Sequence, residues 1–129
     1  MIRTGNERTG STLLYLPVKA GAELTEATMA VINADGYVET ASLAEGLKIA
    51  GCIQRYCDNR NGENGSQRVC VKRGTYIWNN DGSIKETDIL KKCYAKDGTT
   101  VTLTAAGASV AGTILAVEDD GITVDMMQV

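Results

Sequence analysis

Three Asp-Gly pairs, Asp81-Gly82, Asp97-Gly98 and Asp120-Gly121, punctuate residues 69–125 and limit what this chain can fold into. Each joins a residue that tolerates positive φ to a glycine, the chemistry a tight β-hairpin turn requires. The segments between them are rich in Val, Ile, Thr and Tyr, side chains suited to a pleated, half-buried surface. Strands must therefore follow one another closely. A further pair, Asp35-Gly36, predicts a hairpin from strands at 29–33 and 37–40.

The remaining elements extend the same pattern. A strand at 13–18 carries Pro17, which cannot donate to a ladder and so belongs at an edge or a strand end. Residues 47–58 and 67–79 read as the longest strand pair, joined by the Gly- and Asn-rich stretch 59–66 as an exposed loop tip. Strands at 93–95, 100–104, 110–117 and 122–126 follow. Helix is limited to a possible turn at 23–30 and one at 87–92, capped by Thr87 or Asp88. The expectation is an all-β fold, a small barrel or sandwich of about nine short strands. It forms one β domain over 12–129, preceded by a flexible polar arm at 1–11.

Pairing Asp58 with Gln67 sets Tyr56 opposite Val69 and Gln54 opposite Val71 on a core-like face. The other face then gathers Arg55, Arg68 and Lys72, with Cys57 diagonal to Cys70. A slip of one residue would exchange the faces. The basic face reads either as a solvated surface or as a contact for acidic neighbours, such as Glu118, Asp119 and Asp120 of an adjacent subunit. Tyr76 and Trp78 share a strand face, and either pack over one end of the fold or form an aromatic platform for a glycan. The arm, with Arg3 and Arg8, is either a frayed terminus or a segment that orders on a partner.

Several chemistries find no footing. The chain of 129 residues has no histidine, so the usual Ser/His and Cys/His nucleophile pairs cannot form. There is no P-loop and no dinucleotide fingerprint, and the acidic cluster lacks the alternating ligands of an EF-hand loop. Neither enzymatic activity nor a cofactor is expected. A net charge of −3 argues against nucleic-acid binding. No apolar run reaches transmembrane length, and the opening residues hold no secretory leader, so a reducing compartment during synthesis is expected and no membrane partner. In one straight strand Cys52 and Cys57 would lie roughly 16 Å apart. That is well beyond the roughly 7 Å a disulfide spans. With Cys70 and Cys93 they form no C-x-x-C knuckle, so free, mostly buried thiols are expected and no metal.

The order Gly74, Asp81-Gly82 and CYAKDGTTVTLTAAGASVAGTILAVEDDGITVDM resembles the capsid cement, or head decoration, proteins of tailed bacteriophages. The resemblance rests on Tyr94, Asp97, Thr100 to Thr102, Ala111, Gly112, Asp120, Gly121 and Val124. Upstream, LPVKAGAELTEATMAVINADGYVETAS resembles the opening of the same family. The four cysteines, the long 59–66 loop and the lack of Phe depart from its pattern. The resemblance implies a β-barrel-like protein on the outer surface of the mature head, made in the host cytoplasm. It also implies a homotrimer that binds the major capsid protein and locks neighbouring subunits. By analogy Ile2, Arg3, Arg8, Thr12 and Leu14 would form the capsid-binding arm, adding a strand to an exposed capsid edge. The alternatives are another phage structural part, in shell or tail, or a glycan-binding β module using Tyr76 and Trp78.

Overall fold

The apolar runs and Gly-punctuated turns resolve into twelve strands in the computed structural model, which describes residues 12–127. They are β1 (Leu13–Pro17), β2 (Glu23–Leu24), β3 (Met29–Ile32), β4 (Val38–Thr40), β5 (Lys48–Ile53) and β6 (Cys57–Asp58), then β7 (Arg68–Lys72), β8 (Thr75–Asn80), β9 (Lys92–Ala95), β10 (Thr100–Thr102), β11 (Ser109–Glu118) and β12 (Gly121–Asp125). One 3-10 turn, Glu86–Asp88, precedes β9, and the fold is all-β as expected. There are three more strands than anticipated: β2 is new, 47–58 divides into β5 and β6, and 67–79 divides at Arg73-Gly74 into β7 and β8.

The last five strands close into a barrel in the order β10-β8-β12-β11-β9, which leaves no open ladder edge. Asp97-Gly98 joins β9 to β10 as a hairpin, with Val101 opposite Ala95. In the β11–β12 hairpin Glu118 pairs with Gly121, so the turn itself is Asp119–Asp120. Neither aspartate has positive φ; Gly121 takes that burden at +146°. Asp81-Gly82 does not form the expected hairpin. Asn80 Oδ1 accepts the Gly82 N–H at 2.8 Å and Asp81 Oδ1 accepts the Ser83 N–H at 3.0 Å. These local side-chain bonds satisfy the turn and send the chain across the barrel, so β8 pairs with β12 and, in parallel, with β10. The predicted helical turn starts at Glu86, and Asp88 is not its N-cap: its carboxylate reaches back to the Lys85 N–H (2.8 Å) and forward to Lys91 Nζ (3.0 Å).

The first seven strands supply a five-stranded antiparallel sheet, β1-β7-β5-β3-β4, and the small pair β2-β6. Its two edges approach where Val18 bridges Val38, with the Lys19 N–H donating to the Val38 carbonyl at 3.0 Å. β1 is an edge strand with Pro17 at its end, as its chemistry demands. β3 and β5, MAVI and KIAGCI, are buried on both faces and accordingly read as apolar runs without alternation. One side, with Ala30, Ala50 and Ile53, packs on Leu24, Val69 and Val71. The other, with Met29, Val31, Ile49 and Cys52, packs on barrel residues including Trp78, Ile114 and Met126. Two cores thus share one wall.

The expected register of β5 on β7 is displaced by one residue. Ile53 faces Val71 and Cys52 faces Lys72, and the ladder ends with the Gln54 N–H donating to the Cys70 carbonyl at 3.0 Å. A strand apolar on both faces carries no alternation to specify its register, which is why sequence reasoning slipped. The 59–66 loop is also no bare tip. Asn59, only 2 % exposed, donates its amide to the Val18, Lys19 and Glu63 carbonyls and accepts the Ser66 hydroxyl. Asn64 accepts the Ala20 N–H at 2.8 Å, so the loop folds back as a plug over the first core.

Candidate interaction surface

Alternation along β7 turns Val69 and Val71 into the first core and leaves Arg68, Cys70 and Lys72 on the outer face. Tyr15 pairs with Cys70 and Leu13 with Lys72, so both β1 side chains join that face. The barrel covers this outer face over β3 and β5, where Met29, Val31 and Cys52 are buried. Over β7 and β1 it stays bare, with Tyr15 64 % exposed.

A cleft opens within the bare half. Past Gln54 the chain leaves β7 and bends away until Cys57–Asp58 joins β2. The resulting gap has a volume of about 640 Å³ and is lined by Tyr15, Gln54, Arg55, Tyr56, Arg68 and Cys70 among others. Arg68 is held in place by donating Nη1 to the Tyr15 carbonyl at 3.2 Å. The Tyr15 phenol pKa is raised, first by its hydrogen bond to the Cys70 thiol, while Arg55 opposes the shift. Tyr56 donates its hydroxyl to Glu23 at 2.6 Å, and that bond raises its pKa. At the cleft margin Asp58 is already neutralised by Arg60, whose Nε and Nη2 both lie 2.9 Å away. Those bonds hold the Asp58 pKa at about 2.

Of the predicted basic residues, Arg55 and Arg68 line this cleft, while Lys72 lies on the same face beyond its lining. They come together for a different reason from the one expected: Arg55 sits at the bend beyond the ladder, not on a continuous strand. Tyr56, expected in the core, is exposed at the rim, and sequence reasoning missed Tyr15 there too. The signal for Tyr15 was present, because it alternates with Leu14 and Leu16 on β1.

The other predicted groups fall elsewhere. Glu118, Asp119 and Asp120 form the exposed β11–β12 turn and share a shallow dent with Asn79 and Asn80. Among the described residues, no ion pair involves Arg55, Arg68, Lys72 or any of these three acids. Tyr76 and Trp78 lie against each other with centroids 5.9 Å apart and planes tilted by 44°, but Trp78 is 6 % exposed and its Nε1 contacts Met126 Sδ at 3.1 Å. Its indole belongs to the core and offers no glycan platform. Ile2, Arg3 and Arg8 lie outside the described residues. Thr12 and Leu14 do not belong to an arm: the Thr12 carbonyl accepts the Arg73 N–H at 2.7 Å, and Leu14 pairs with Val71.

All four thiols are free. Cys93 is fully enclosed, and burial pushes its pKa up to about 12, the state of an unreactive core side chain. No helix among the described residues is long and apolar enough to cross a membrane, and no three potential ligands among His, Cys, Asp and Glu gather there in metal-binding geometry. Comparison with family models, characterised proteins and solved structures returns no match.

Proposed function

We propose that this chain is a capsid decoration protein, a cement protein bound to the outer surface of a mature phage head. The observation that carries this reading is where the family-like residues fall. Tyr94, Asp97, Thr100 to Thr102, Ala111, Gly112, Asp120, Gly121 and Val124 all belong to the closed barrel. Several have specific structural tasks. A Cβ on Gly112 would lie 2.3 Å from the Asp125 carbonyl oxygen, and one on Gly121 would lie 2.6 Å from that of Trp78. Asp97 Oδ1 accepts the Thr99 N–H at 2.9 Å and so shapes its hairpin. The C-terminal part of the resemblance therefore falls within one folding unit, while its upstream part lies in the N-terminal sheet.

The role needs no catalysis. Copies that bridge several shell subunits gain strength through effective concentration, so each contact can be weak. Binding to the assembled shell alone stabilises that state by mass action. In this reading Ile2, Arg3 and Arg8 engage the major capsid protein, and the basic face serves contacts between copies in a homotrimer. The test is to heat heads prepared without the protein, before and after adding it back. Added protein should raise the temperature at which DNA escapes, and heads indifferent to its addition would defeat the reading.

A further inference from the structure

From the geometry we infer that the cleft between β7 and residues 54–58 is a receptor for the acidic β11–β12 turn of a second copy of this chain. The proposal deepens the reading above by naming the partner of the basic face, although self-association can be measured without heads.

Three observations support it. The first is shape. Because the β5–β7 ladder stops at Gln54, the sheet splits and leaves a concavity of about 640 Å³. That lies within the roughly 300–1,000 Å³ typical of sites that enclose a ligand group. On this side β7 has no ladder partner from Val69 back to Arg68, so polar backbone as well as side chains face the opening.

The second is charge. Arg55 and Arg68 enter the cleft beside Tyr15 and Tyr56, and the one carboxylate among its described lining residues, Asp58, is bound by Arg60. Arginine presents a planar fork of donors matched to a carboxylate, and tyrosine adds rigid contact area at little entropic cost.

The third is the occupant. Glu118, Asp119 and Asp120 project at the tip of a tight two-residue hairpin, narrow enough to enter a split sheet, and find no cation within the described chain. A cleft on one copy that takes a turn from the next, without the reverse exchange, is a heterologous contact. Such contacts close into rings when the rotation permits and otherwise run on as chains.

The experiment is a charge swap followed by sedimentation equilibrium of the full chain. R55E/R68E and D119K/D120K each set like charges against each other. Each should weaken self-association roughly a hundredfold while the melting transition is kept. The quadruple variant R55E/R68E/D119K/D120K restores opposite signs and should recover association. Should a variant misfold, the wild-type chain still decides: its association must weaken steeply with added salt. A wild-type chain that stays monomeric, association indifferent to salt, or no recovery in a folded quadruple variant would each overturn the proposal. Head binding that persists in a strictly monomeric protein would sink this contact and leave the decoration role standing.

Discussion

The two halves of the molecule solve the same problem, closing a small β core, by different means. The C-terminal barrel closes through its ladders: each of its five strands has two neighbours, and two of its connections are tight hairpins. The N-terminal sheet meets itself at a single bridge between Val18 and Val38 and completes its core with the 59–66 plug. A closed ladder is specified locally, by alternation and turn chemistry, whereas a plugged sheet depends on groups far apart in sequence. The plugged half is also the one with a split sheet and a bare face. The barrel closes on itself, and the less regular half carries the cleft.

Substitution at paired glycines is the severest way to probe this contrast. Gly112 lies at a register shift of β11 on β9, and Gly51 at one of β5 on β3. A Cβ on Gly51 would lie 2.4 Å from the Lys72 carbonyl oxygen, and its φ of +147° adds strain. Both contacts are with backbone, which cannot step aside. Gly112→Ala and Gly51→Ala should each cost about 3 kcal/mol in urea denaturation. Because the cores share β3 and β5, either should lower one common transition seen alike by Trp78 fluorescence and by circular dichroism.

Next in size is Asn59→Ala. It strips the Val18, Lys19 and Glu63 carbonyls of their amide donor and should cost about 2 kcal/mol. If the plug closes the first core, amide exchange should quicken at Val69 and Val71 and change little at Ile122 and Val124.

Acid separates the halves again. Burial raises the Asp81 pKa, but hydrogen bonds from Ser83 and Thr102, aided by Lys96, outweigh it and hold the group at about 2 against an ordinary 3.8. A carboxylate depressed in the folded state stabilises fully above its unfolded pKa and loses that contribution as pH falls through the folded value. Stability should therefore decline between about pH 4 and pH 2, with Asp81 accounting for on the order of 1–2 kcal/mol. Asp81→Asn should flatten that limb of a pH–melting curve. Asp58→Asn should barely change it, since the Asp58–Arg60 pair is exposed on both sides.

The smallest effect is a gain. Leu90 holds φ at +73° while 73 % exposed, a conformation that costs a leucine more than it costs glycine. Leu90→Gly should stabilise by about 0.5 kcal/mol, read as a small rise in melting temperature.

The same contrast explains what could be read from the residues alone. In the barrel, strands 110–117 and 122–126 and the turns at Asp97 and Asp120 were legible because each depends on neighbours in sequence. Asp81-Gly82 misled because Asn80 and Asp81 use their side chains to form turns that lead away from a hairpin. In the N-terminal half β3 and β4 were legible through Asp35-Gly36, but the break between β5 and β6 was not. Nothing between Ile53 and Cys57 signals that Asp58 will pair with Glu23. The cleft was legible only as a cluster of basic residues. Its concavity comes from that break, and Tyr15 reaches it from a strand more than fifty residues away in sequence from Arg68.

The most direct test of the decoration role is co-sedimentation of the purified chain with mature heads prepared without it, with immature shells as the control. The account predicts saturable binding to mature heads, weakened when residues 1–11 are removed from an otherwise folded protein. Folded full-length chain that pellets with neither shell would contradict it.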